Sequence, residues 1–254
     1  MWYYYIVEYT KTLKVRVRDK HAPLLRKMAV EVNQVWNYCN ELSARMLRER
    51  GKWMNRFDFD SYLRGASQEF QAVRSTTIIE TAHQFACKRR NAKKLRLSWR
   101  KSFGKNRSLG WVPFKTRGAK FANGQVKFSG YHFGVWDSYG LSNYKFRGGC
   151  FTEDARGRWY FCVAVKFEPE ASSGTGSIGI DLGLKTSATC SDGVTLEGRW
   201  YRGLEEKLAA AQRAGNKGRT RAIHAKIANR RKDALHKVSS KLVKRCNQIY
   251  VGNV

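Results

Sequence analysis

Residues Ser177–Gly193 read SIGIDLGLKTSATCSDG. Ile178, Ile180 and Leu182 alternate with smaller residues as a strand does. One carboxylate, Asp181, stands inside that apolar run, with Gly179 and Gly183 close on either side. An unpaired charge taken out of water costs several kcal/mol, so an Asp181 buried in such a strand is expected to hold something. The closing SDG has turn chemistry, which also accounts for Asp192. VTLEGRWY, residues 194–201, then continues as a third strand. Glu197, on that strand, is not assigned as a ligand.

Downstream, helical character runs from about Gly203 to Arg245 and breaks near AGNKG, which predicts two helices. The second carries Ile223, Ile227, Leu235, Val238, Leu242 and Val243 on one side. Arg230, Arg231, Lys232, Lys237, Lys241 and Lys244 lie largely on the others. The last residues, NQIYVGNV, are strand-like.

Upstream, TLKVRVRD places Leu13, Val15 and Val17 on one face of a strand within Tyr3 to Val17, and Lys14, Arg16 and Arg18 on the other. From Pro23 the period changes. Leu25, Met28, Val32, Val35, Cys39, Leu42 and Met46 recur at three- and four-residue steps, giving a helix that ends at Gly51. A second helix is predicted over roughly Thr76 to Phe103. Its first half carries Ile78, Ile79, Ala82, Phe85 and Ala86. Its second half is basic, with Lys88, Arg89, Arg90, Lys93, Lys94, Arg96, Arg100 and Lys101 and no acid after Glu80. Glycine and aromatics dominate from Gly110, where several short strands suggest a small barrel or curled sheet. Tyr131, Phe133, Trp136 and Tyr144 there are either barrel core or platforms for bases. EASSGTGSIG, residues 170–179, has the composition of a linker.

The charge balance narrows the partners. Lys and Arg total 49 against 20 Asp and Glu, a formal net charge of +29 in 254 residues. Such a chain repels itself unless something anionic covers it. No apolar run approaches the length of a membrane span, and the start lacks a signal-peptide pattern. Nucleic acid is therefore the expected partner and membrane is not. The six cysteines include no C-x-x-C pair, so they read as reduced thiols of a cytosolic protein, with no zinc site within the chain.

A strand bearing an acid, a hairpin, a third strand, helices and a further strand make up the start of an RNase H-like order. Actin-like ATPases open similarly, with a D-x-G phosphate loop, but do not need so large a positive charge. SIGIDLGLKTSATCSDG resembles the first RuvC motif of the TnpB/OrfB proteins of insertion sequences, and HAKIANRRKDALHKVSSKLV is similar to that family's basic helix. GWVPFK and GRWYFCVAVKFEP are also in its style. The resemblance spans the chain and is most specific from Ser177 to Val254. Members are RNA-guided DNA endonucleases long described as transposases.

The resemblance implies an α+β architecture: a small β-barrel split by a helical domain, followed by a partial RNase H-like (RuvC) α/β domain. In boundaries, residues 1–19 would begin the wedge-like barrel, 20–110 form the helical recognition domain, 111–171 complete the barrel and 172–254 form the partial nuclease domain. It further implies a structured guide RNA and double-stranded target DNA as partners, and a location in the prokaryotic cytoplasm at the nucleoid. Asp181 becomes both the catalytic residue and the Mg²⁺ ligand. In that chemistry the metal activates water and steadies the leaving oxygen. Lys88, Arg89, Arg90, Lys93, Lys94, Lys185, Arg230, Arg231, Lys232 and Lys237 become the nucleic-acid contacts.

The sequence departs from the family where the second catalytic Glu is expected: I-Y-V-G-N-V places Gly252 there. A third carboxylate and the C-x-x-C pairs are not found within the sequence. The expectation is thus a C-terminally truncated member whose Mg²⁺ binding is weak or lost. The second reading is a nuclease-dead, RNA-guided DNA binder that acts like a transcriptional repressor.

Overall fold

The computed structural model describes residues 9–168 and 174–252. The expected strand residues Tyr3–Glu8, the linker residues 170–173 and the final two residues lie outside them. The chain forms two compact units, Met1–Glu168 and Pro169–Val254.

The first unit begins with β1 (Tyr9–Val17), whose alternation buries Leu13, Val15 and Val17. Three helices follow: α1 (Ala22–Arg50), α2 (Asp58–Tyr62) and α3 (Ser75–Ala92). Six strands complete the unit: β2 (Trp111–Phe114), β3 (Ala119–Ala122), β4 (Gln125–Phe128), β5 (Tyr131–Trp136), β6 (Phe146–Glu153) and β7 (Trp159–Phe167). They join β1 in one antiparallel sheet of order β2-β6-β7-β1-β5-β4-β3. The first strand in sequence is thus paired on both sides by strands that follow the helices.

The sheet curls into a nearly closed barrel around aromatic rings. Phe133 on β5 and Phe151 on β6 lie 5.0 Å apart between centroids, although three places separate their strands across β7 and β1. Phe114 of edge strand β2 reaches Phe128 of β4 at 5.8 Å. Of the four aromatics with two possible roles, Phe133 is core. Tyr144 is half-buried and accepts a hydrogen bond from Lys11 Nζ at 3.3 Å. Trp136 is exposed under the Arg18 guanidinium, and Tyr131 is exposed.

On α1 the whole predicted seam from Leu25 to Met46 is buried. Gly51 ends the helix at φ +62°, a conformation that L side chains disfavour, and its N–H returns to Leu47 O. Trp36 joins helices to barrel, meeting Phe85 of α3 at 5.2 Å and Trp111 of β2 at 5.9 Å, both edge-on.

The predicted second helix is shorter than expected. It stops at Ala92, where Lys93 turns left-handed at φ 50°. Residues 93–110 instead run back along α1, and amides one turn apart on that helix receive them. Asn40 accepts from Leu97 N–H at 3.0 Å and donates to Leu97 O at 2.7 Å. Asn37 does the same for Arg100, at 2.9 and 3.0 Å. Asn33 accepts from Arg100 Nε at 2.6 Å and donates to Ser102 Oγ at 3.2 Å. On the same helix, the buried Glu31 carboxylate accepts from the backbone N–H groups of Gln71, Ala72 and Val73. The seam thus fixes the hydrophobic side of α1, while a polar set fixes two irregular segments.

The second unit contains β8 (Gly176–Asp181), β9 (Thr186–Cys190), β10 (Thr195–Glu197), α4 (Glu205–Arg213), α5 (Lys217–Arg245) and β11 (Cys246–Val251). The helix break falls at AGNKG, with Asn216 Oδ1 capping α5 through Arg219 N–H at 2.9 Å. Strand order is β10-β9-β8-β11. The first three strands are antiparallel, and β11 is parallel to β8 with Ile249 opposite Ile178 and Val251 opposite Ile180. Ile178, Cys190, Leu242 and Cys246 form one small core, and Leu204, Ala211 and Ile223 another. Two residues of the predicted apolar side of α5 are not part of it: Leu235 and Val243 are exposed, because α4 and the sheet meet different stretches of the helix. Among the described residues no helix is long and apolar enough to cross a membrane.

Glu153, at the end of β6, has a side chain fully out of solvent. Arg107 grips it with two hydrogen bonds of 2.6 and 2.8 Å, Gly110 N–H adds a third at 3.0 Å, and Arg26 lies 3.6 Å away. Burial acts to raise this carboxyl's pKa. Arg107, the Gly110 N–H and Arg26 outweigh it, so the group titrates below its ordinary value. A depressed folded pKa gives stability that is present above the unfolded pKa and lost as pH falls through the folded one. Glu153→Gln is expected to lower stability near neutral pH by about 2 kcal/mol in urea unfolding. The variant's stability should also fall less steeply than the parent's on acidification.

Candidate nucleic-acid interface and metal position

Asp181 ends β8, paired across the ladder with Thr189 of β9. It is exposed rather than buried, which corrects the expectation drawn from its apolar neighbours. Side chains alternate across a strand. Ile178 and Ile180 face the small core, so Asp181 falls on the other side of the sheet. On the far flank of β8, Gly252 N–H donates to Ile180 O at 2.9 Å. A Cβ at position 252 would stand 3.7 Å from Asp181 Oδ1. The position expected to bear a second acid therefore does face Asp181, and it carries no side chain.

Neither of the acids nearest in sequence, Asp192 and Glu197, takes that place. Asp192 accepts from Val194 N–H at 3.1 Å and pairs with Arg245. The Val194 hydrogen bond and then Arg245 keep its carboxyl below the usual range. Glu197 is exposed opposite Thr186 on β10. Among the described residues, no three His, Cys, Asp or Glu side chains come together as a metal site. Mg²⁺ is held through carboxylates together with phosphates and water. One exposed carboxylate beside a glycine does not fit a two-metal centre.

The expected cationic contacts divide by environment. Lys88, Arg90, Lys93 and Lys94 are exposed at and beyond the end of α3. Arg89 departs from the expectation: it is 1% exposed, its guanidinium lies 3.8 Å from the Trp53 ring centre, and its Nε donates to Leu95 O at 3.2 Å. It points inward because α3 turns that position toward the chain leaving the helix. Arg96 pairs with Glu41 at 3.3 Å, and Arg100 is tied to Asn33 and to Leu109 O. In the second unit Lys185 is exposed, as are Arg230, Arg231, Lys232 and Lys237 on α5. Lys237 also pairs with Asp233 at 2.8 Å. Arg230, Lys237, Lys241 and Lys244 fall at steps of seven, four and three residues, which places them along one face.

Residues 160–254 match the OrfB_IS605 family, described as a probable transposase. Over those residues the chain is similar to that family, in agreement with the resemblance seen from Ser177 onward. No curated protein sequence matches it. Among solved structures it is similar to a Cas12f1 chain seen by cryo-EM with sgRNA and target DNA. The TM-score is 0.51 at 12% identity, over 97% of this chain and 81% of that one. A CRISPR-Cas12f ternary complex matches at TM-score 0.42 and 12% identity, over 93% of this chain and 63% of that one. At this identity the first likeness concerns the fold: a nearly closed antiparallel barrel with helices.

Sequence reasoning missed the structural duties of Arg89 and Arg100. A usable signal was the row Asn33, Asn37, Asn40 on α1, which marks a helix face built to receive backbone. Replacing Arg230, Arg231 and Lys232 with Gln is expected to lower the log–log salt slope of nucleic-acid binding by about 0.9 for each duplex phosphate that these residues neutralise. Filter binding across a salt series measures this, and an unchanged slope removes these α5 residues from the interface.

Proposed function

We propose that this chain binds a structured guide RNA and double-stranded target DNA in the manner of a TnpB-type protein, and that its nuclease site is incomplete. The observation that carries this reading is β11 lying parallel on β8, with Gly252 beside Asp181, in a chain of charge +29. The order β10-β9-β8-β11 supports a partial RuvC-like domain over residues 172–254. The barrel segments 1–19 and 111–171, split by the helical segment 20–110, would serve as wedge and recognition domains. Both basic sets suit phosphate contacts, which position nucleic acid without reading its sequence. Such a chain would work at the nucleoid in the cytoplasm.

Asp181 is the one family acid carried by this chain, and it would contribute a single Mg²⁺ ligand. No hydrolytic step follows from that geometry. The Gly252 position favours a second, narrower reading, in which guided binding alone is the activity, as in a repressor. The test expresses the chain with its genomic flanks, recovers the RNA that co-purifies and presents a duplex matched to it in Mg²⁺. Guide-dependent retention on a native gel with no strand cutting is expected, and Asp181→Ala should leave retention unchanged. Mg²⁺-dependent cutting that disappears in Asp181→Ala would show a complete nuclease centre. Retention independent of the RNA would end the guided reading.

A further inference from the structure

Beside α3, the chain leaving α1 encloses a cavity of about 550 Å³ whose walls include Trp53, Arg56, Phe57, Cys87 and Arg90. Two of its aromatic walls are open to solvent, Trp53 at 45% and Phe57 at 61% exposure. Cations flank both. The Arg56 guanidinium lies 4.4 Å over the Phe57 ring, and Arg90, which also lines the cavity, is exposed. No acid lines the cavity, and the neighbouring Asp58 is already paired with Lys52 at 2.9 Å.

Behind Trp53 lies Arg89. Its Nη1 and Nη2 are buried and have no hydrogen-bond partner among the described residues. A cation withdrawn from water without a carboxylate is costly, and the inner face of Trp53 is its main compensation. That contact braces the ring, while Trp53 lines the cavity and keeps 45% of its surface open to solvent.

We propose that this cavity takes one unstacked nucleotide of single-stranded nucleic acid. The base lies on the outer face of Trp53 beside Phe57, and the adjoining phosphate meets Arg90 and Arg56. The cavity is of ligand-binding size, and every base offers a face for stacking whatever its identity. Arg89 acts as a positioning residue: it holds the ring in its binding orientation, so little order has to be acquired on binding. A duplex, whose base faces are already stacked, cannot fill the cavity. The proposal rests on the nucleic-acid reading above and narrows it to a single nucleotide.

The test uses the full chain with four probes: oligo(U), oligo(dT), an abasic deoxyribose-phosphate strand of equal length, and an oligo(dA)·oligo(dT) duplex. Trp53→Ala is expected to weaken oligo(U) or oligo(dT) about tenfold, and to leave the abasic strand and the duplex unchanged. Trp53→Phe, which keeps a ring, should retain most of the affinity. Whichever of oligo(U) and oligo(dT) loses more identifies RNA or DNA as the source of the nucleotide. Equal losses on all four probes, or none on the single strands, overturn the cavity assignment while the nucleic-acid reading stands. If the parent chain binds none of the four, both fall.

Discussion

Irregular backbone that runs against a helix has to find hydrogen-bond partners, and in the first unit the side chains of α1 provide them. Asn33, Asn37 and Asn40 treat residues 97–102 much as a neighbouring strand would, while Glu31 gathers three successive N–H groups from residues 71–73. Without those acceptors and donors, two connecting segments would bury unsatisfied peptide groups against an apolar helix. The segments in turn place the rest. One delivers α3 to the hydrophobic side of α1. The other returns the chain to the barrel, where Arg107 and Gly110 close on Glu153. One helix thereby organises its unit twice, by packing along one side and by peptide-like hydrogen bonding along another.

Much of this was readable from periodicity. The seam of α1, the alternation of β1 and β7, and the break between α4 and α5 follow directly from residue spacing. The end of α3 did not. Lys and Arg favour helices, so a run of them gives no stop signal. What ends the helix is competition from asparagines that lie more than fifty residues earlier in the chain. The exposure of Asp181 was hidden for a related reason. Apolar neighbours show that a strand has one covered face, yet they do not show whether its other face is covered too. Leu235 and Val243 failed similarly: a continuous apolar side on a long helix need not be matched by continuous cover.

The candidate site shows the same division between pattern and placement. The resemblance singled out Asp181, and the parallel register of β11 brings position 252 beside it. Charge alone was less discriminating. The basic run from Lys88 to Lys101 looked uniform in sequence, but the fold sorts it into exposed cations that can meet phosphates and two guanidiniums set against aromatic rings, the buried Arg89 and the half-buried Arg100. Arg89 and Lys88 are adjacent in sequence and have opposite surroundings.

The outer flank of β11 carries one further consequence. Among the described residues no strand lies beyond it, and Ile249, Tyr250 and Val251 are exposed there. An open, apolar strand margin is adhesive toward other copies, whereas a surplus of 29 positive charges pushes those copies apart. Dissolved ions weaken that repulsion over roughly 10 Å at 0.1 M and leave the adhesion intact. Solubility of the free protein therefore depends on its ionic surroundings, and a polyanion seated on its surface would remove the same safeguard unless it also shields the margin.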